Sequence, residues 1–253
     1  MHRGAGYHGI PPATPMAFMM QDVIDAFAAA AGLILGFDDQ LARIVLLSLR
    51  VTLTAVGIAM VIGLPLGAML GIARFPGRGL AIVLCNALMG LPPVVAGLLV
   101  YLMLSRSGPL GGLGLLFTPA AMVIAQTVLV TPIVISITRQ VVEDMWSEYE
   151  EQLRSLGSTR RRAIPTLLWD ARFSLVTGVL AGFGRASAEV GAVLIVGGNI
   201  AGVTRTMTTA ITLETGRGDL PLALGLGILL LALTLAINAA AYAVGQVARR
   251  SAG

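Results

Sequence analysis

The sequence predicts an all-α integral membrane protein with five transmembrane helices and a polar cytoplasmic loop between the third and fourth. Three observations lead there. Of its 253 residues 56% are hydrophobic and 12% charged, at a mean hydropathy of +0.87, whereas a soluble domain carries about 25% charged residues. Five apolar stretches, at about 44–73, 80–104, 117–138, 173–196 and 220–247, each reach the roughly 20 residues that a helix needs to cross a bilayer. Lipid offers backbone amides no partners, so each span must satisfy its own hydrogen bonds, and an open sheet cannot.

Taken in order, residues 1–21 are rich in glycine and proline and read as a flexible segment without a cleavable signal, with Met16, Met19 and Met20 as alternative starts. "DVIDAFAAAAGLILGF", 22–37, has too short an apolar core to span. Closed by Asp38 and Asp39, it reads as an interfacial helix over 22–39. A transmembrane domain follows over 40–248. Small residues recur every fourth position at Gly63, Gly67 and Gly71, and again at Gly178, Gly182 and Ala186, stripes that let helix backbones approach closely. Pro65 in the first span and the pair Pro92-Pro93 in the second interrupt helical hydrogen bonding, and the freed carbonyls predict bends there before the alternative, the lining of a cavity.

Arginine placement sets the expected orientation. With the central polar loop in the cytoplasm, ten arginines lie inside (Arg74, Arg78, Arg139, Arg154, Arg160 to Arg162, Arg172, Arg249, Arg250) and four outside (Arg3, Arg106, Arg205, Arg217). This satisfies the positive-inside rule, with the N-terminus outside and the C-terminus in the cytoplasm. Net charge +4 is therefore a topological signal and not a nucleic-acid footprint. All 17 basic residues are arginine, which excludes a Walker A lysine, a Schiff-base lysine and a lysine base in this chain. A single cysteine, Cys85, and two histidines near the N-terminus form no metal constellation.

The central segment "YEEQLRSLGSTRRRAIP", 149–165, packs two carboxylates and four arginines between apolar runs. Ser147 is placed to cap a short helix with carboxylates in its first turn, and Gly157 to end it. "STRRRAIPTLL" then starts a second helix, and two short helices joined at a glycine make a knob suited to docking in a groove of another protein. The Arg160-Arg161-Arg162 run reads as a topology anchor in contact with membrane lipid.

This pattern resembles the EAA loop of ABC-importer permeases. Glu151 and Gly157 match the family's Glu-to-Gly spacing, Gln152 and Leu153 replace its two alanines, and Leu167, Trp169 and Asp170 replace its downstream Ile-x-Leu-Pro. "SLRVTL" (48–53), "LMGLPPVVAGLLVYL" (88–102) and "FGRASAEVGAVLIVGGNIAGVTRTMTTAI" (183–211) resemble the oxyanion branch of the type I importers, tungstate permeases first and molybdate permeases next. The resemblance implies a homodimeric pore in the bacterial or archaeal inner membrane, in an ATP-driven importer of an oxyanion, with tungstate first and molybdate or sulfate as alternatives. ABC ATPase subunits would bind ATP and Mg inside, and an extracytoplasmic substrate-binding protein would deliver cargo. The chain would itself be no enzyme and hold no cofactor. The coupling loop, 143–170, would dock the ATPase through Glu150, Glu151, Gln152, Leu153, Gly157 and Ser158.

Candidates for the translocation path are the polar residues in or beside the spans: Arg50, Arg185, Glu189, Asn199, Thr204 and Arg205. Arg185 and Glu189 are one helical turn apart, so they pair on one face, either to hold the bundle in register or to line the path. Arg50 reads as snorkelling to the headgroups or as part of the path. Asn199, Thr204 and Arg205, with Thr206, Thr208 and Thr209, make a donor-rich outer segment. An ion-coupled secondary transporter is the rival mechanism. It needs carboxylates at the midplane, where Glu189 is the one candidate.

Overall fold

The computed structural model describes residues 20 to 252 except 22, 26, 30, 33 to 35, 37 and 38. The flexible segment expected over 1–21 lies outside the described residues apart from Met20 and Gln21, and the interfacial helix expected over 22–39 is described in part. Its described residues up to 32 are helical, with Val23, Ile24 and Phe27 exposed.

Among the described residues from Asp39 onward the regular structure is entirely helical: α1 (Asp39–Ile72), α2 (Arg78–Met89), α3 (Pro93–Leu104), a single 3₁₀ turn (Gly111–Leu113), α4 (Pro119–Ser155), α5 (Arg160–Asp170), α6 (Arg172–Ser187), α7 (Gly191–Gly197), α8 (Met207–Arg217) and α9 (Leu220–Ala252). Three continuous stretches are long and apolar enough to cross a membrane: Leu41–Ile72, Pro119–Ser155 and Leu220–Gln246. The two other expected spans, 80–104 and 173–196, are not continuous helices. The first is α2 and α3 bent by 103°, the second α6 and α7 bent by 57°.

The breaks have different causes. Between α2 and α3 the chain runs Gly90-Leu91-Pro92-Pro93. Each proline removes an amide and pushes the residue before it out of the helical region. Pro92 sits at ψ 127 and Pro93 opens α3. Between α6 and α7 there is no proline. There the Oε1 of Glu189 accepts the amide of Ala192 at 3.0 Å, so a side chain takes the place of a helical carbonyl and starts α7 in a new direction. Pro65 and Pro132 lie inside α1 and α4 without ending them.

α4 is the axis of the molecule. α1 lies along one side of it through the expected glycine stripe: a Cβ on Gly67 would stand 2.6 Å from the carbonyl oxygen of Ile135, and one on Gly63 2.8 Å from Val134. α6 lies against it through the other stripe, where a Cβ on Gly178 would meet Ile137 at 2.6 Å. Backbones this close gain dispersion contacts that lipid cannot match. The core follows α4 as three clusters: Val51, Val100, Met122 and Val196 at one end; Val56, Val130, Val134 and Phe183 in the middle; Ala68, Val142, Trp146, Ala163 and Leu167 at the other. Outward faces stay apolar, with Leu80 and Val83 on α2 and Leu231, Leu235 and Val244 on α9 exposed, as suits a surface covered by lipid or a second copy.

One expectation about the central loop is corrected. "SEYEEQLRS" is no separate helix capped by Ser147 but the final turns of the 37-residue α4. Nothing between Pro132 and Gly157 breaks the helix, the pairs Arg139–Glu143 and Glu150–Arg154 support it at i, i+4, and Val142 and Trp146 continue the buried face. The polar knob is thus a rigid extension of a span.

Candidate functional site

Two regions gather the sequence candidates, at opposite ends of α4. The first is the turn where α4 meets α5. Gly157 holds φ +74, its amide donates to the Arg154 carbonyl at 2.9 Å, and the Ser158 amide donates to the Leu153 carbonyl at 2.9 Å. This closes the helix with a left-handed residue that glycine adopts without a Cβ penalty. Leu153 packs beside the Trp146–Leu167 cluster, while Glu151, Gln152 and Gly157 are exposed and Leu156 protrudes at 82% exposure.

Arg160 ties this knob to two spans. Its Nη2 donates to Glu150 Oε1 at 3.1 Å, its Nη1 donates to the Ile72 carbonyl at 3.3 Å, and its guanidinium lies 5.6 Å from the Trp146 ring. Arg154 meets the same Glu150 oxygen at 2.7 Å. Arg78 donates to the carbonyls of Leu70 and Gly71 at 2.8 and 3.2 Å and to Glu143 at 2.9 Å; Arg139 completes that cluster. The last carbonyls of α1 are therefore capped by cations from α2 and α5, at the negative end of its dipole. Sequence reasoning assigned Arg78 and Arg160 to topology and lipid and missed these caps. Their signal was position: cations just beyond a long span.

The second region surrounds the loop after α7. Gly198 and Asn199 turn the chain at φ +70 and +50. Thr204 is fully buried; its hydroxyl donates to the Gly197 carbonyl at 2.6 Å and accepts the Ile200 amide at 2.9 Å. Thr206 and Thr209 form a capping box that starts α8, the Thr208 hydroxyl donates to the Glu189 carbonyl at 2.9 Å, and the Met207 amide donates to the Ser48 hydroxyl at 2.9 Å. The threonines that read as outward donors are thus turned inward to hold the loop. Asn199 Nδ2 donates to the Thr209 carbonyl at 3.3 Å, and its buried Oδ1 has no partner among the described residues.

The paired charges sit at the α6–α7 break. Arg185 Nη1 donates to Glu189 Oε2 at 2.9 Å, and the glutamate is 3% exposed. Beside the loop, residues from α1 and from 201–205 flank a half-open cavity of about 500 Å³ lined by Arg43, Leu47, Arg50, Ala201, Gly202 and Arg205, with Ile44, Leu46 and Val203. The structure therefore brings Arg50 and Arg205 together and sets Arg185 and Glu189 apart from them. Arg43 was not singled out. Its spacing of seven from Arg50 places both on one face of a helix and was the available signal.

Against known proteins, residues 63–250 match the model of a family described as binding-protein-dependent transport system inner membrane component. The chain belongs to that family. It is 40% identical over 225 residues, 89% of this chain and 99% of the relative, to the tungstate uptake system permease protein TupB of Peptoclostridium acidaminophilum. It is 41% identical over 204 residues, 79% and 88%, to a probable anion ABC transporter permease protein of Haloferax volcanii. The sulfate transport system permease protein CysW of Escherichia coli is 30% identical over 187 residues, 70% and 63%. As a binding-protein-dependent inner membrane component, the chain is a multi-pass permease of the ABC importer class, and the matched region takes in both the knob and the loop with Arg205.

Proposed function

We propose that this chain is the pore subunit of an ATP-driven tungstate importer, with molybdate or sulfate as the nearest alternative cargo. The observation that carries this reading is the 40% identity along 99% of a tungstate permease, against 30% along 63% of a sulfate permease. The pore is a homodimer formed through apolar faces such as those of α2 and α9, bathed elsewhere in lipid. Two ATPase subunits that bind ATP and Mg dock on the Glu150–Ser158 knob, and a substrate-binding protein docks at the opposite end.

Closure of the ATPases pushes on the knob. Because the knob continues α4 without a break and Arg160 holds the end of α1, the push reaches two spans at once. No group here forms or breaks a covalent bond. The ion-coupled rival is disfavoured, since Glu189 already engages Arg185 and an amide.

The cargo is tested by ATP-dependent uptake in proteoliposomes with the partner binding protein. Tungstate should be taken up only with ATP and the loaded binding protein present, and molybdate should compete through the same pore, since both are tetrahedral dianions. Uptake of sulfate without any tungstate response would overturn the cargo and leave the importer class in place.

Orientation is proposed with the N-terminus and the 198–205 loop outside and the knob inside, from the ten-to-four arginine bias. In a background lacking Cys85, cysteines introduced singly at Ser158 and at the exposed Ala201 should respond oppositely to an impermeant thiol reagent added to intact cells. The expected pattern is labelling at 201 and protection at 158; the reverse would invert the molecule and move the ATPase to the other end.

A further inference from the structure

We infer that the cavity between α1 and the 201–205 loop is an anion station within the permease itself, where Arg43, Arg50 and Arg205 together hold a tetrahedral oxyanion. Its ligand class rests on the oxyanion importer reading above; the site rests on its own geometry.

Six of the 17 arginines of this chain are paired with carboxylates. Arg78, Arg139, Arg154, Arg160, Arg185 and Arg217 each meet a glutamate. Arg43, Arg50 and Arg205 form no ion pair among the described residues, yet they converge on one cavity whose lining includes no carboxylate. Arg205 lines it too, with its buried Nε lacking a hydrogen-bond partner among the described residues, and Arg43 donates its Nε to the Asp39 carbonyl at 3.1 Å. Arg43 and Arg50 are exposed and Arg205 is half-buried; three cations lining one cavity repel one another, and an anion between them relieves that repulsion.

Shape and access fit a transit site. A cavity of about 500 Å³ is in the ordinary range for small ligands, roughly 300–1,000 Å³, and leaves a five-atom oxyanion part of its water. Guanidinium forks match the paired oxygens of such an ion in two-point contacts. Arg43 and Arg50 reach the cavity while remaining exposed on α1, so the ion is gripped from a wet side. Binding of this kind is weak enough to release its ion, which conduction requires.

The same chemistry describes the phosphate of an anionic phospholipid, so the test separates the two sources. The full chain is placed in phosphatidylcholine nanodiscs, and tungstate binding is measured by equilibrium dialysis with elemental analysis of tungsten. Saturable binding is expected, weakened about tenfold by Arg50→Gln or by Arg205→Gln, several-fold by Arg43→Gln, and unchanged by Arg106→Gln. Arg50→Lys, which keeps the charge and loses the fork, should fall between parent and Arg50→Gln, and it preserves the test if a glutamine variant does not fold. Unchanged binding in both glutamine variants, or no saturable binding by the parent, overturns the station. Loss of tungstate binding when phosphatidylglycerol replaces phosphatidylcholine would assign the arginines to lipid and overturn it too. The cargo reading fails separately: uptake without tungstate sinks the cargo while arginine-dependent binding would still stand.

Discussion

Exchanging Glu189 for alanine should lower the thermal unfolding midpoint of the detergent-solubilised protein by about 5–10 °C and abolish import. The carboxylate does two things at the α6–α7 break. Its Oε2 accepts from Arg185 and its Oε1 accepts from the Ala192 amide, so it starts α7 as an N-terminal cap and neutralises the cation that ends α6. Each role is worth about 1–3 kcal/mol where the acceptor is buried, and about 2–3 kcal/mol together is a fair expectation because Arg185 remains partly solvated. For a chain this long that corresponds to the stated shift.

Glu189→Gln keeps the cap and loses the charge, so it should cost less than alanine. Arg185→Gln strands a buried carboxylate, and combining it with Glu189→Gln should cost less than the two single changes added. An alanine variant as stable as the parent would mean that packing alone keeps the bend. The contacts responsible would be Ala192 against Gly97, where a Cβ would stand 2.6 Å from the Ala192 Cα, and Gly191 against Val94.

That bend shows what periodicity cannot reveal. Residues 173–196 are apolar, helical in pattern and the right length, and "ASAEVGAV" contains no residue that forbids a helix. At the break a side chain stands in for a backbone carbonyl, and Arg185 and Thr208 hold Glu189 there. The α2–α3 bend was legible, because two consecutive prolines disturb the backbone whatever surrounds them. The glycine stripes were legible for a similar reason: only small residues let α1 and α6 approach α4.

The sites divide along the same line. Gly157 was readable, since a glycine after a polar helical run fits a left-handed stop. Ser147 was misread, because a short capped helix and the tail of a long one share the same local pattern. The burial of Val142 and Trp146 decided for the long helix. Thr204, Thr206, Thr208 and Thr209 signalled hydroxyl donors but not their direction, and each is spent inside the fold. Arg50 and Arg205 were marked singly by the cost of a cation near lipid. Their meeting, with Arg43, depends on how the loop folds back over α1.

Replacing Gly157 with glutamine should leave the chain inserted and assembled, with an unfolding midpoint within a few degrees of the parent, yet reduce binding-protein-stimulated ATPase activity at least tenfold. An added Cβ meets nothing within 4 Å, so no clash reaches the spans. The cost is conformational: at φ +74 an ordinary L residue pays about 1–2 kcal/mol. The turn relieves that strain by giving up the closing bonds from Gly157 to Arg154 and from Ser158 to Leu153. Glu151, Gln152 and the protruding Leu156 then leave the positions in which the knob presents them, and α5 loses its fixed angle to α4. Force from the ATPase would be absorbed in the turn before it reached α4 or, through Arg160, the end of α1. Gly157→Asn separates backbone from bulk, since asparagine enters the left-handed region more readily than most residues while carrying a polar side chain of comparable exposure. It should retain most of the stimulation. Equal loss in both variants would place the defect in side-chain bulk at the docking face, and normal stimulation in the glutamine variant would remove the knob from the coupling path altogether.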